Sequence, residues 1–139
     1  MSGWSGDGNT GMREEHTLRG ASILVVDDDL DILELHKSVL EMEGYAVHTA
    51  ASGSRALQVL DDIETPDLIL LDFRMYDMTG VDFLARLEVE HPQLLDQTPV
   101  VFLTGMDSVP PSRAAGFIRK LTDLDRFIEL VHEYASRRH

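Results

Sequence analysis

Polar side chains that can do chemistry follow four of the five short, strand-like stretches of this chain. They are Asp27, Asp28 and Asp29 after the first stretch, Asp72 after the third, Thr104 after the fourth and Lys120 after the fifth. Carboxylates held close together repel one another, and a hard divalent cation such as Mg²⁺ relieves that repulsion. An aspartate that attacks a phosphoryl group needs the new negative charge neutralised, which the cation, the ammonium and the hydroxyl can do. The residue types therefore predict that an acyl phosphate forms on Asp72.

The elements that must position these side chains alternate along the chain between strand and helix. Strands are predicted at Ile23–Val26, Tyr45–Ala50, Leu68–Leu71, Val100–Leu103 and Gly116–Arg119, and helices at 32–42, 53–63, 81–90 and 124–135. This alternation predicts an α/β fold with a parallel sheet, right-handed crossovers and helices on both faces. Ligands of such sheets bind at the carboxyl ends of the strands. The polar residues are therefore expected to converge on one edge of the sheet.

The predicted helices begin and end at residue types that commonly cap helices. Asp29 and Ser52 are predicted N-caps, and Thr122 or Asp123 is expected to cap the last helix. Gly44 is expected to stop the first helix.

Composition and charge limit the class of protein. The 139 residues suit one domain, and the lack of cysteine excludes disulfides, cysteine-ligated zinc and thiol catalysis. Residues 21–96 carry 17 acidic and four basic side chains, which disfavours direct nucleic-acid binding. Residues 97–139 are nearly neutral and are the expected contact surface for another protein. No stretch has membrane-spanning length and no export signal is evident, so a cytoplasmic protein without membrane attachment is expected.

Three motifs resemble those of the response-regulator receiver family. They are Ile-Leu-Val-Val-Asp-Asp-Asp at 23–29, the stretch from Asp67 through Asp72 to Gly80, and Pro-Val-Val-Phe-Leu-Thr at 99–104. The resemblance runs from about Ser22 to Arg138. It implies a flavodoxin-like, doubly wound five-stranded sheet of order 2-1-3-4-5. We expect residues 21–139 to form the receiver domain and residues 1–20, which are polar and contain four of their five glycines before residue 12, to form a flexible arm.

The same resemblance implies roles for individual residues. Asp27 and Asp28 would organise Mg²⁺, Asp72 would be phosphorylated and bind the metal, and the backbone carbonyl of Arg74 would be a further metal ligand. Thr104 and Lys120 would contact the phosphoryl oxygens.

Phe117 matches the aromatic residue that, together with Thr104, switches on activation. The phosphodonor would be a sensor histidine kinase or a histidine phosphotransfer protein, and the downstream target another protein. The chain would be a monomer or a weak homodimer.

The sequence departs from the family pattern in three places. Tyr76 and Leu121 stand where the family usually has proline, and only 15 residues separate Thr104 from Lys120. Pro110 and Pro111 lie within that gap and forbid a helix interior there. The family's fourth helix is therefore predicted to be missing or reduced to a turn near 112–115, as in a receiver subgroup with Thr-Gly after the fourth strand.

Three functions are compatible with these residues. The leading hypothesis is a stand-alone phosphoacceptor that is not a turnover enzyme. A pseudo-receiver that binds a partner without phosphorylation is the second. A haloacid-dehalogenase-type phosphatase is the third, although that family has an acid where this chain has Arg74.

His36 and His132 are expected on solvated helix faces rather than as phosphodonors.

Overall fold

The computed structural model describes residues 20–120 and 122–137. The strands are β1 Ser22–Val26, β2 Ala46–Ala50, β3 Leu68–Asp72, β4 Val100–Thr104 and β5 Gly116–Arg119. The helices are α1 Leu30–Met42, α2 Gly53–Asp62, α3 Gly80–Glu90, α4 Leu94–Gln97 and α5 Leu124–Ala135. All five predicted strands and all four predicted helices are present. The predicted arm, residues 1–20, lies outside the described residues except for Gly20.

The five strands form one parallel sheet in the order β2-β1-β3-β4-β5. Strands β3 and β4 are buried along their whole length, and β1 is buried from its second residue onward. Near-continuous apolar runs are typical of parallel strands that are covered on both faces. The predicted sheet order is confirmed.

Alternate residues of the central strands point into two separate cores. One core joins the sheet to α2 and α3 and includes Leu24, Val26, Leu57, Ile69, Leu71, Phe83, Leu87 and Phe102. The other joins it to α1 and α5 and includes Ile23, Val25, Leu33, Leu40, Leu68, Leu70, Val101, Phe127 and Val131. The helices therefore lie on both faces of the sheet, as predicted. None of the helices in the described part of the chain is both long and apolar enough to cross a membrane.

The predicted helix ends are confirmed. Asp29 accepts the N–H groups of residues 31 and 32, and Ser52 Oγ accepts the Arg55 N–H at 3.0 Å. Asp123 caps α5. Gly44 has a φ of 98°, a left-handed conformation that suits glycine and that ends α1.

The connection from β4 to β5, residues 105–115, contains no helix, as the two prolines predict. Met106, Val109 and Ala114 instead pack against the core beside α2 and α3. The Ala115 N–H donates to the Val100 carbonyl at 2.8 Å, which brings the chain directly back to the sheet. The connection thus covers this part of the core with three apolar side chains from an irregular segment.

The prediction that His36 is solvated is wrong. His36 is 7% exposed, and its ring stacks on Phe127 with the centroids 4.3 Å apart. It shares the buried stripe of α1 with Leu33 and Leu40, at spacings of three and four residues. Burial lowers the pKa of His36, and the nearby Asp27 opposes that shift only in part.

His132 is half-buried rather than solvated. Its Nδ1 lies 2.5 Å from the Tyr45 hydroxyl, and its Nε2 lies 3.4 Å from Glu43 Oε1. These contacts join α5 to the turn between α1 and β2. Burial raises the pKa of Tyr45 to about 12, with a further contribution from Glu43.

Candidate functional site

Three carboxylates meet at the carboxyl ends of β1 and β3. Val26 and Leu71 are partners in the parallel register, so the residues that follow them, Asp27 and Asp72, lie side by side. Asp27 is fully buried, Asp72 is 4% exposed and Asp28 is half-buried. One oxygen from each of the three carboxylates lies within 4.8 Å of the others. The sheet topology therefore brings together the acidic residues that the sequence singled out.

Lys120 completes this cluster from the end of β5. Its Nζ lies 3.1 Å from Asp72 Oδ1 and 3.4 Å from Asp27 Oδ2. Its backbone N–H donates to the Thr104 carbonyl at 2.8 Å, which continues the pairing of β4 with β5. Burial would lower the pKa of Lys120, but the attraction of the two aspartates outweighs burial and raises it. The shortened β4–β5 connection has not displaced this lysine from the acidic edge.

The cluster holds more negative charge than its one ammonium can balance. Burial, followed by repulsion from Asp27, raises the pKa of Asp72 to about 6, although Lys120 and the Arg74 N–H act in the opposite direction. Asp27 Oδ1 accepts the Asp29 N–H at 2.9 Å. Asp27 Oδ2 is buried and accepts no hydrogen bond from the described residues, and its ion-pair contact with Lys120 is long. An additional cation would stabilise this arrangement.

The donor set fits a hard divalent cation such as Mg²⁺. The candidate ligands are three carboxylates, and one oxygen of Asp27 is buried without a hydrogen bond. Mg²⁺ prefers one or two carboxylates together with phosphate oxygens. Asp27, Asp28 and Asp72 would hold the ion. Arg74 lies two residues beyond Asp72, and its N–H donates to Asp72 Oδ1 at 3.3 Å. The Arg74 carbonyl as a further ligand stays a prediction.

Thr104 and Phe117 occupy different surroundings. Thr104 ends β4, is 4% exposed, and its Oγ1 accepts the Met106 N–H at 3.1 Å. Phe117 pairs with Phe102 in the register of β4 and β5 and packs against the core beside α2 and α3. Thr104 therefore joins the polar edge and the β4–β5 connection. Phe117 is half-buried against the apolar core, and its role as a switch stays a prediction.

Two further contacts at this edge were not predicted. The Tyr76 N–H donates to Asp28 Oδ2 at 2.9 Å. Asp77 accepts hydrogen bonds from Gly53 and Ser54 at the start of α2. Both contacts join residues that are more than twenty positions apart, so no local pattern predicts them.

The profile of the response regulator receiver domain matches residues 23–132 of this chain. The chain belongs to the response regulator receiver family. The matched range covers β2 to β5 and all of β1 except Ser22, and it includes Asp27, Asp72 and Lys120. The matched residues thus form a receiver domain of two-component signalling.

Named relatives differ in how much of their length is matched. The transcriptional regulatory protein CpxR of Escherichia coli (strain K12) is 45% identical over 86 residues, which are 62% of this chain and 34% of that protein. The sporulation initiation phosphotransferase F of Bacillus subtilis (strain 168) is 32% identical over 118 residues, 81% of this chain and 91% of that protein. The chain spans about a third of the length of the first curated relatives that it matches.

Solved receiver structures have the same fold. The chemotaxis response regulator CheY4 of Vibrio cholerae superposes with a TM-score of 0.73 at 26% identity, over 83% of this chain and 98% of that one. The response regulator TrrA of Thermotoga maritima, solved in complex with Mg²⁺–BeF, gives a TM-score of 0.69 at 27% identity, over 82% of this chain and 98% of that one.

Proposed function

We propose that this receiver domain accepts a phosphoryl group on Asp72 from a sensor histidine kinase or a histidine phosphotransfer protein, with Mg²⁺ bound, in the cytoplasm. The observation that carries the proposal is the buried pair Asp27 and Asp72 facing Lys120 at 3.4 and 3.1 Å. The unbalanced negative charge of the two aspartates favours binding of a cation. The Lys120 ammonium beside them favours binding of a phosphoryl group.

The hydrogen bonds of Asp72 identify the atom that would attack. Within the described residues, Lys120 and the Arg74 N–H both bind Asp72 Oδ1, which leaves Oδ2 without a donor. A pKa of about 6 keeps most of this carboxyl ionised at pH 7, so that it is a competent nucleophile. The Oδ2–P bond would form as the P–N bond to the donor histidine breaks, and the imidazole would leave with the electron pair.

Lys120 and Thr104 would stabilise the transferred group. The Lys120 ammonium lies between Asp27 and Asp72 and can donate to a phosphoryl oxygen without leaving the cluster. Thr104 Oγ1 accepts from the Met106 N–H, so its own proton remains available to a phosphoryl oxygen. When bound, Mg²⁺ would supply further charge neutralisation.

The output would be contacts with another protein, made by a monomer or a weak homodimer. Thr104 is hydrogen-bonded to the segment 105–115, which replaces the family's fourth helix. A change in the Thr104 hydroxyl would therefore act directly on the segment between β4 and β5. Residues 97–139, which are nearly neutral, would carry the contact surface.

Acetyl phosphate and a phosphate-affinity gel test the proposal. In Mg²⁺ the wild type should show a mobility shift, and Asp72→Asn should abolish it. Asp29→Asn is the matched control, because it removes an exposed carboxylate close to the site while asparagine still caps α1. An Asp72→Asn variant that shifts like the wild type would refute the assignment.

The missing helix between β4 and β5 favours the pseudo-receiver as the second candidate. Titration with Mg²⁺ and beryllofluoride separates the two, since only a working acceptor site should give saturable spectral changes. Absence of both the changes and the gel shift in the wild type would support the pseudo-receiver. Turnover of an aryl phosphate would instead support the phosphatase.

A further inference from the structure

Asp77 connects the β3–α3 loop, residues 73–79, to the start of α2. Its Oδ1 accepts the Gly53 N–H at 3.2 Å, and its Oδ2 accepts both the Ser54 N–H and the Ser54 hydroxyl at 2.9 Å. We call this set of three hydrogen bonds the Asp77 bridge. It joins two segments that are 23 and 24 residues apart in the sequence.

The bridge adds to a helix end that already has a cap. Ser52 Oγ accepts the Arg55 N–H at 3.0 Å from within the same helix terminus. The bridge satisfies two other N–H groups of the first turn, which have no partner inside the helix. Burial opposes the charged carboxylate, but the hydrogen bonds from Ser54 and Gly53 outweigh it and lower the pKa of Asp77. The carboxylate is therefore stabilised as an anion in this position.

The loop that carries Asp77 also holds two of the three clustered carboxylates. The Arg74 N–H donates to Asp72 Oδ1 at 3.3 Å, and the Tyr76 N–H donates to Asp28 Oδ2 at 2.9 Å. Tyr76 precedes Asp77 directly, so a shift of Asp77 would change the direction of the N–H that holds Asp28.

Hydrogen bonds within the loop make it a closed unit. The Met75 N–H donates to the Met78 carbonyl at 3.2 Å, and the Gly80 N–H donates to the Phe73 carbonyl at 2.7 Å. A closed loop moves as one body more readily than it bends at one residue. Displacement at Asp77 is therefore passed to the backbone next to the acidic cluster.

We infer that Asp77 is a positioning residue for the acceptor site, because its bridge to α2 fixes the loop whose backbone orients Asp28 and Asp72. The inference rests on the proposed function, since it concerns binding of Mg²⁺ and phosphoryl transfer at that site. The alternative is that Asp77 only caps α2.

Asp77→Ala and Ser52→Ala form a matched pair that separates the two roles. Each removes hydrogen bonds from the first turn of α2, but only Asp77→Ala releases the β3–α3 loop. Stability is measured by urea unfolding without Mg²⁺, Mg²⁺ affinity by calorimetric titration, and phosphorylation by the initial rate with acetyl phosphate.

Both variants should lose stability. The Kd for Mg²⁺ should rise roughly tenfold in Asp77→Ala, the scale typical of lost outer contacts to metal ligands. Ser52→Ala should bind Mg²⁺ like the wild type. The rate of phosphorylation at Mg²⁺ concentrations below the Kd should fall in step with the affinity. Asp77→Asn keeps one acceptor oxygen and should lie between Asp77→Ala and the wild type.

Equal Mg²⁺ affinity of Asp77→Ala and Ser52→Ala would overturn the inference and leave a capping role. If Asp77→Ala does not fold, the comparison of Asp77→Asn with Ser52→Ala decides, and an unchanged Kd in Asp77→Asn overturns it. A wild type that binds no Mg²⁺ and accepts no phosphoryl group would instead overturn the proposed function.

Discussion

Replacing Asp72 with asparagine should make the protein more stable at neutral pH in the absence of a divalent cation. Asparagine keeps the shape of the side chain and an oxygen that can accept the Arg74 N–H, while it removes one negative charge from the cluster. Burial and repulsion from Asp27 are the causes of the raised pKa of Asp72, and both disfavour the ionised form. The substitution removes the group on which they act.

The pKa of Asp72 sets the size and the sign of this effect. The pKa rises from 3.8 to about 6 on folding, and each pKa unit corresponds to about 1.4 kcal/mol, so ionised Asp72 costs about 3 kcal/mol at pH 7. This cost already includes the attraction of Lys120. An acid whose pKa is raised by folding stabilises the fold fully below pH 3.8, and that stabilisation is lost as the pH rises through 6. The advantage of asparagine should therefore appear across this window.

Urea unfolding in the presence of a chelator measures the difference. Asp72→Asn should gain about 2 to 3 kcal/mol at pH 7.5, and the gain should shrink as the pH falls toward 4. Asp29→Asn removes an equal charge from an exposed cap and should change stability by no more than about 0.5 kcal/mol. Mg²⁺ should stabilise the wild type more than Asp72→Asn. An asparagine variant that is no more stable than the wild type at pH 7.5 would refute the electrostatic account.

Other substitutions test the packing and the buried polar contacts. In Gly80→Ala the new Cβ would lie 2.5 Å from Cε1 of the buried Phe102 ring, so urea unfolding should show a loss of about 1 to 3 kcal/mol. Tyr45→Phe removes the hydroxyl contact with His132 Nδ1 and should cost about 1 kcal/mol in the same assay. Burial lowers the pKa of His36, so its neutral form is favoured by folding and stability is lost as the pH falls below 6.5. His36→Leu should flatten the acid side of the curve of unfolding free energy against pH, and an unchanged curve would contradict this reasoning.

The sheet could be predicted because its three central strands, β1, β3 and β4, are buried on both faces. Such strands are almost entirely apolar, so the sequence alone indicates the stretches that form β1, β3 and β4. The ends of those strands then located Asp27 and Asp72, since a parallel sheet brings its carboxyl ends to one edge. The two prolines in the β4–β5 connection predicted the absence of a helix there, because proline has no N–H to donate to a helix.

Features that depend on tertiary contacts could not be predicted in this way. Helix α4 spans only Leu94–Gln97, which is too short for a periodic pattern. The Asp77 bridge joins residues from different elements. His36 was predicted to be solvated because its ring is polar. Its spacing from Leu33 and Leu40 places it on the buried stripe of α1 instead. The ring stacks on Phe127, and its burial favours the neutral form.

The polar edge of the sheet is hydrogen-bonded to two separate pieces of backbone. Asp28 accepts the Tyr76 N–H from the β3–α3 loop, and Thr104 accepts the Met106 N–H from the β4–β5 connection. Any ligand that binds the folded cluster but not the unfolded chain stabilises the fold, and by linkage it also favours the loop positions in which it binds best. The cluster is electrostatically unfavourable without a cation. The cost of ionised Asp72 is thus the free energy that cation binding can recover, and part of it is available to reposition these two loops.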